Sequence, residues 1–238
     1  MEDKEWERFN LNMPDGGPIY TEHNAEHLIV EPWNAISSLI IALPAIYWAI
    51  RLWGRYKEFP FLVYCLPLLF LNGIGSTLFH AFRVSKFFLM MDMLPPIILT
   101  ISVSIYFWLK VLKRWWFSFI AIPPFILMRF WVFDNFPSHT AINLTYAITG
   151  LMIFLPMLVF LYQTQFERWR TLVLSIFYLT LALLFREIDA REFVSFLPMG
   201  THFLWHGFSG VAGFLLARYL YDVRVSELSL KKMTLSTV

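Results

Sequence analysis

Charged side chains are scarce in this chain. Of its 238 residues only 15% are Asp, Glu, Lys or Arg, while 58% are hydrophobic and 19% aromatic. A soluble domain carries about 25% charge, so this deficit, with a mean hydropathy of +0.58, argues against water as the solvent and points to lipid. Cysteine is nearly missing as well. Cys65 stands alone, which excludes an internal disulfide and leaves it the part of a small packing residue inside an apolar run. The first 30 residues hold no positively charged start followed by an apolar core, so no cleaved signal peptide is expected. There is no convincing repeat and no low-complexity tract. A net charge of +2 suggests no nucleic-acid partner.

What the chain has instead is a series of apolar stretches. About 20 such residues suffice to cross a hydrocarbon core, and seven stretches qualify: 34–53, 60–82, 87–109, 115–133, 140–162, 170–186 and 202–221. The expected fold class is therefore an all-α integral membrane protein, a multi-pass bundle of seven transmembrane helices. An acidic N-terminal arm (1–33) would precede the catalytic bundle (34–221), and a cytoplasmic tail (222–238) would follow it. Loops around Arg51, Lys110 and Arg168, together with the tail, collect twelve of the 19 Lys and Arg residues on one side. The positive-inside rule then places the N-terminus outside and the C-terminus in the cytoplasm. Trp115 and Trp116 beside Lys113 and Arg114 read as an interface anchor, and Pro95-Pro96 and Pro123-Pro124 as kinks in spans three and four. Gly207, Gly210 and Gly213 form a small-residue stripe suited to close helix packing.

Against this background the buried polar residues stand out. Gly73-Ile-Gly-Ser76-Thr-Leu-Phe-His80 and His202-Phe-Leu-Trp-His206 both lie within apolar stretches. A neutral imidazole gains little from lipid unless something pairs with it, so such histidines are functional candidates. Ser76 and His80 are four residues apart, as are His202 and His206, and that spacing puts each pair on one helix face. Asp92 falls in the second turn of span three, at the same outer depth. Three imidazoles with an open fourth position suit a catalytic zinc, whereas structural zinc usually takes four protein ligands. Zinc lowers the pKa of a bound water to about 7 and polarises a carbonyl. Asp92 could then move the proton and Ser76 assist the oxyanion.

Taken singly, each residue has a plainer reading. His202 could cap its helix, His80 could sit at the interface, Ser76 could be a packing residue, and Asp92 could pair with Lys86 or Arg83. Structural pairing does not require all of them at one depth. The cluster Arg186-Glu187-Ile-Asp189-Ala-Arg191-Glu192 reads as a solvated ion-pair loop, and His23 and His139 have no evident partners.

The pattern G-x-G-S-x-x-F-H, an Asp twelve residues later and H-x-x-W-H in the last span resembles the alkaline ceramidase family. That family belongs to a superfamily of seven-span hydrolases that also includes adiponectin receptors and GPI-lipid remodelling proteins. The arm narrows the choice. Glu22-His-Asn24, then Glu31-Pro-Trp33-Asn34-Ala-Ile-Ser37-Ser-Leu, looks like the ceramidase stretch E-x-N … E-x-W-N-x-x-S-N-L, and Ile188-Asp189 sits where that family has a similar pair. The resemblance covers about residues 19–221. It implies zinc on His80, His202 and His206, with Asp92 as acid/base and Ser76 on the oxyanion. It also implies calcium on Glu22, Asn24 and Glu31, with the Tyr20 carbonyl. At the family's leading Asp this chain has Ile19, and the interval to Glu31 is shorter by two residues.

The expected activity is thus an intramembrane zinc amidohydrolase that cleaves the N-acyl bond of ceramide to a sphingoid base and a free fatty acid. Ceramide or a related N-acyl lipid would enter from the membrane lipids. The alternatives are another lipid acyl hydrolase of the superfamily, or a seven-helix receptor with a structural zinc.

Overall fold

In this computed structural model the described residues are 13, 15–189 and 196–236, without the side chains of 138, 139, 235 and 236. Arg191, Glu192 and the His139 side chain, weighed above, lie outside them. The described residues are helical, with no strand among them. The long helices are α1 (Pro32–Arg51), α2 (Pro60–Phe82), α3 (Lys86–Leu112), α4 (Pro123–Asn135), α5 (Ser138–Gln163), α6 (Trp169–Glu187) and α7 (His202–Ser236). Six segments are long and apolar enough to cross a membrane: α1, α2, α3, Trp115–Asn135, the stretch of α5 from Thr140, and α6. In α7 the two histidines and three glycines of the first half dilute the apolar content, because that stretch faces a polar site.

The chain forms two compact units. Pro96–Glu167 makes up one, and Met13–Pro95 with the segment from Arg168 makes up the other. In the first, α4 packs on α5, with Val132, Ala141 and Ile148 at the contact. The Ser104 hydroxyl donates to the Met152 carbonyl at 2.6 Å, giving a buried hydroxyl its partner. Pro123 begins α4 directly after a short helical turn, Ser118–Ala121, so the proline pair interrupts the crossing segment Trp115–Asn135. A proline lacks the N–H that a first-turn residue leaves unused anyway.

The second unit carries the polar cluster. Here α1 packs against α2 and α7, and α6 packs against α7. The polarity of α1 is inverted relative to a soluble helix. Its buried face is mostly small or polar (Asn34, Ser37, Ser38, Ala42, Ala45), with Ile41 and Trp48 as its large members, while Ile36, Leu43, Ile46 and Ile50 face outward. Large apolar groups gain from lipid contact and small ones let backbones approach, which is the arrangement a bilayer selects.

The glycines set those approaches. A Cβ on Gly73 would fall 2.6 Å from the Ala42 nitrogen on α1, and one on Gly75 would fall 2.5 Å from the Met91 carbonyl on α3. Gly210 does the same against Ile40, 2.8 Å from its carbonyl oxygen. Its two companions in the expected stripe do not: Gly207 meets nothing within 4 Å, and Gly213 meets only Leu69 at 3.8 Å. Nor does α7 stop where a tail was expected. It runs on past Tyr221 to Ser236, since no Gly or Pro interrupts it and Arg218–Asp222 supports it as an i,i+4 pair at 3.0 Å.

Candidate metal centre

Helix α2 delivers Ser76 and His80, α3 delivers Asp92, and α7 delivers His202 and His206. The three imidazoles are almost wholly buried, and each offers a nitrogen within 4.8 Å of the others. Ring centroids lie 4.9 Å apart for His80–His206, 4.7 Å for His202–His206 and 5.3 Å for His80–His202. Among the described residues this is the one group of three or more His, Cys, Asp or Glu side chains arranged to hold a metal ion.

Hydrogen bonds behind the rings decide which nitrogen faces the centre. His80 Nδ1 donates to Glu31 Oε2 at 2.5 Å. A carboxylate only accepts, so the Nδ1–H form is held and Nε2 keeps its lone pair. His206 Nδ1 lies 2.9 Å from the Ser37 hydroxyl and 3.2 Å from that of Ser38. Both hydroxyls have the Asn34 carbonyl as an acceptor, at 3.1 and 2.7 Å, which leaves their lone pairs for the imidazole N–H. His202 differs. Its Nδ1 is buried with no partner, a costly state unless a further group completes it. The Tyr20 ring stacks on it, with centroids 3.8 Å apart. Two rings fixed from behind and a third with an orphaned nitrogen fit a metal ion.

Asp92 is partly buried, and the Ser76 hydroxyl lies within hydrogen-bonding reach of its carboxylate. Neither Lys86 nor Arg83 holds it among the hydrogen bonds and ion pairs of the described residues. Its backbone is fixed through the two prolines that follow. Pro96 has no N–H to bond the carbonyl four residues earlier, so the Asp92 carbonyl is left over, and Asn72 Nδ2 donates to it at 2.7 Å. Pro95 frees the Met91 carbonyl in the same way, at the point where Gly75 makes its close approach.

At the start of α7, Asp189 departs from the solvated ion-pair loop expected for its cluster. It is buried, and its Oδ1 accepts the backbone N–H of Thr201 at 2.7 Å and of His202 at 2.8 Å. Its Oδ2 accepts from Thr21 N–H at 3.0 Å. A solvated ion-pair loop is therefore not its setting. It caps the helix that carries two of the three histidines.

The residues assigned to calcium have other partners. Glu22 reaches across eleven residues to cap α1, accepting from Trp33 N–H at 2.5 Å and Asn34 N–H at 2.9 Å. Burial raises its pKa above the usual carboxylate range, against the effect of those two amides. Asn24 closes a turn, its Oδ1 accepting from Glu26 N–H and its Nδ2 donating to His27. Tyr20 lends its ring to His202 and His80. Glu31 is fully buried. Besides His80 it accepts from His23 Nδ1 at 3.0 Å and from the Arg83 guanidinium. Burial works to raise Glu31, but His80, Arg83 and His23 together hold it below the ordinary range.

His23, given no partner from sequence, thus has one. Arg83, Asp15, Asn72 and the roles of Ser37 and Ser38 were also missed. Two signals were present: Asn72 sits in an apolar span, and Arg83 follows His80 by three residues. In comparisons with known proteins, no family model matches the chain and no curated protein matches it.

Proposed function

We propose that the protein is an integral membrane, zinc-dependent amidohydrolase that cleaves the N-acyl bond of ceramide to a sphingoid base and a free fatty acid. The observation that carries this reading is the triad itself: three buried imidazoles, two fixed from behind and one with an orphaned nitrogen, beside the Asp92 carboxylate and the Ser76 hydroxyl. His80, His202 and His206 would hold the zinc, which supplies water activation and carbonyl polarisation. Glu31, Ser37 and Ser38 keep the ligand nitrogens aimed. The Asp92 carboxylate takes the proton of the attacking water as the new C–O bond forms. It returns that proton to the sphingoid nitrogen as the C–N bond breaks. The Ser76 hydroxyl donates to the developing oxyanion.

The choice of substrate rests on the resemblance of the arm and span motifs to alkaline ceramidases, and the choice of zinc on an all-imidazole set with an open position. We also read α7 as the seventh crossing, with the N-terminus outside and the C-terminus in the cytoplasm, from the distribution of Lys and Arg. Outward-facing apolar residues on α1, among them Ile36 and Leu43, suit lateral entry of a two-tailed lipid from the bilayer.

The test is a lipid panel with purified protein. Wild type is expected to release fatty acid from ceramide and not from glycerophospholipid. Asp92→Asn should lose about 10²- to 10⁴-fold in turnover while keeping its zinc. Release from glycerophospholipid alone would move the assignment to an ester-cleaving enzyme. Full turnover in Asp92→Asn would remove Asp92 from the chemistry.

A further inference from the structure

The calcium expected on the arm does not fit this chain, and the structure places something else there. Arg83 follows the end of α2 in the left-handed conformation, φ 51°, with its N–H donating to the Phe79 carbonyl at 3.0 Å. Its side chain is 1% exposed and turns inward. Nε donates to Asp15 Oδ2 at 2.6 Å, Nη1 to Glu31, and Nη2 to the Pro18 carbonyl at 2.8 Å and to Asp15 Oδ1 at 3.3 Å. The Phe79 ring lies under the guanidinium, 4.5 Å from its centroid, and Tyr20 is 5.9 Å away on the other contact. Every nitrogen of the fork has an acceptor, and both carboxylates are fully buried. An uncompensated charge in such a setting costs several kcal/mol, so the three groups require one another.

We propose that the Arg83 guanidinium is the resident cation of the arm, joining Asp15 to Glu31 in place of calcium, and that it is a positioning residue for His80. The link runs Asp15–Arg83–Glu31–His80, from the arm to the back of a ligand imidazole. Calcium takes six to eight oxygens. Here Glu31 is committed to His80, His23 and Arg83, Glu22 to the first amides of α1, and Asn24 to its own turn. Ile19 offers no side-chain oxygen. A divalent ion beside Glu31 would also meet the guanidinium, charge against like charge. Backbone pairing makes the link rigid: Val30 N–H donates to the Ala81 carbonyl at 2.9 Å and Glu31 N–H to the His80 carbonyl at 3.1 Å. Gly17 lies so close to Phe79 that an added Cβ would stand 2.6 Å from its Cζ. The arm therefore closes over the end of α2 through contacts that contain their own positive charge.

This rests on the metal-site reading only through His80, and two readouts separate them. The first is thermal unfolding of chelator-treated protein in detergent, with and without millimolar calcium. The midpoint is expected to stay where it is, and a saturable rise of several degrees would overturn the proposal. The second is cobalt(II) titration, followed by the visible absorption of the bound ion. Arg83→Gln should bind cobalt roughly 10- to 100-fold more weakly than wild type. Arg83→Lys, which keeps the charge but cannot fork between two carboxylates, should recover part of that loss. Wild-type cobalt affinity in a folded Arg83→Gln protein would overturn the positioning role. Should that variant fail to fold, Arg83→Lys decides: a severalfold loss supports the role and none overturns it. If wild type takes up no cobalt, the triad reading fails with the His80 link, while the calcium melt still decides the resident cation.

Discussion

At the scale of single residues, the candidate metal centre is held by groups that do not themselves offer a ligand to it. The triad was legible in the sequence because imidazoles are conspicuous in an apolar span, and four-residue spacing places a pair on one face. The groups behind the triad were not. Ser37 and Ser38 look like ordinary small residues of a membrane helix until the fold brings His206 to 2.9 and 3.2 Å. Glu31 read, by resemblance, as a calcium ligand, until Arg83 and two histidines accounted for its burial. No local pattern announces a partner that lies 52 residues away. The serine pair carries a specific expectation. Ser37→Ala with Ser38→Ala takes both hydroxyls away from the His206 N–H, and metal affinity, measured by competition with a chelator, should fall about tenfold. Either single variant should lose less, because the remaining hydroxyl can still accept. Unchanged affinity in the double variant would mean that His206 is held by its packing alone.

At the scale of helices, sequence boundaries served well and interruptions served poorly. Apart from the last helix, which runs on past Tyr221 to Ser236, most starts and stops of the apolar stretches came within a few residues, because hydrophobic length is set by the bilayer. The proline pairs turned out to have different jobs. Pro123 starts a helix, whereas Pro95 and Pro96 stay inside α3 and free two carbonyls, one of which Asn72 captures next to Asp92. That consequence depends on a neighbour and cannot be read from one segment. Asp189 is the clearest case at this scale, a charged residue in a connector that organises the first turn of α7. Asp189→Ala leaves three backbone N–H groups without their acceptor and should cost about 1–3 kcal/mol of stability in detergent unfolding. Asp189→Asn, which keeps an acceptor oxygen, should recover part of it. A midpoint unchanged in Asp189→Ala would show that the α7 start is fixed from elsewhere.

At the scale of the whole molecule, composition announced the solvent and the fold class, and the outward-facing apolar residues of α1 agree with both. Six segments are apolar enough to cross a bilayer. The candidate site lies within one compact unit, whose helices α1, α2, α3 and α7 each contribute a side chain to it or to its support. The arm was the least legible part. Its motif resembles a calcium site, yet Glu22 caps α1, and Glu31 supports His80 and pairs with Arg83.

The most direct measurement is zinc content together with fatty-acid release from ceramide, for wild type and His206→Ala purified side by side in detergent. One zinc and steady release from wild type, with neither from the folded variant, is the predicted result. A His206→Ala protein that still releases fatty acid at the wild-type rate would contradict the account, because the reaction would then proceed without the triad.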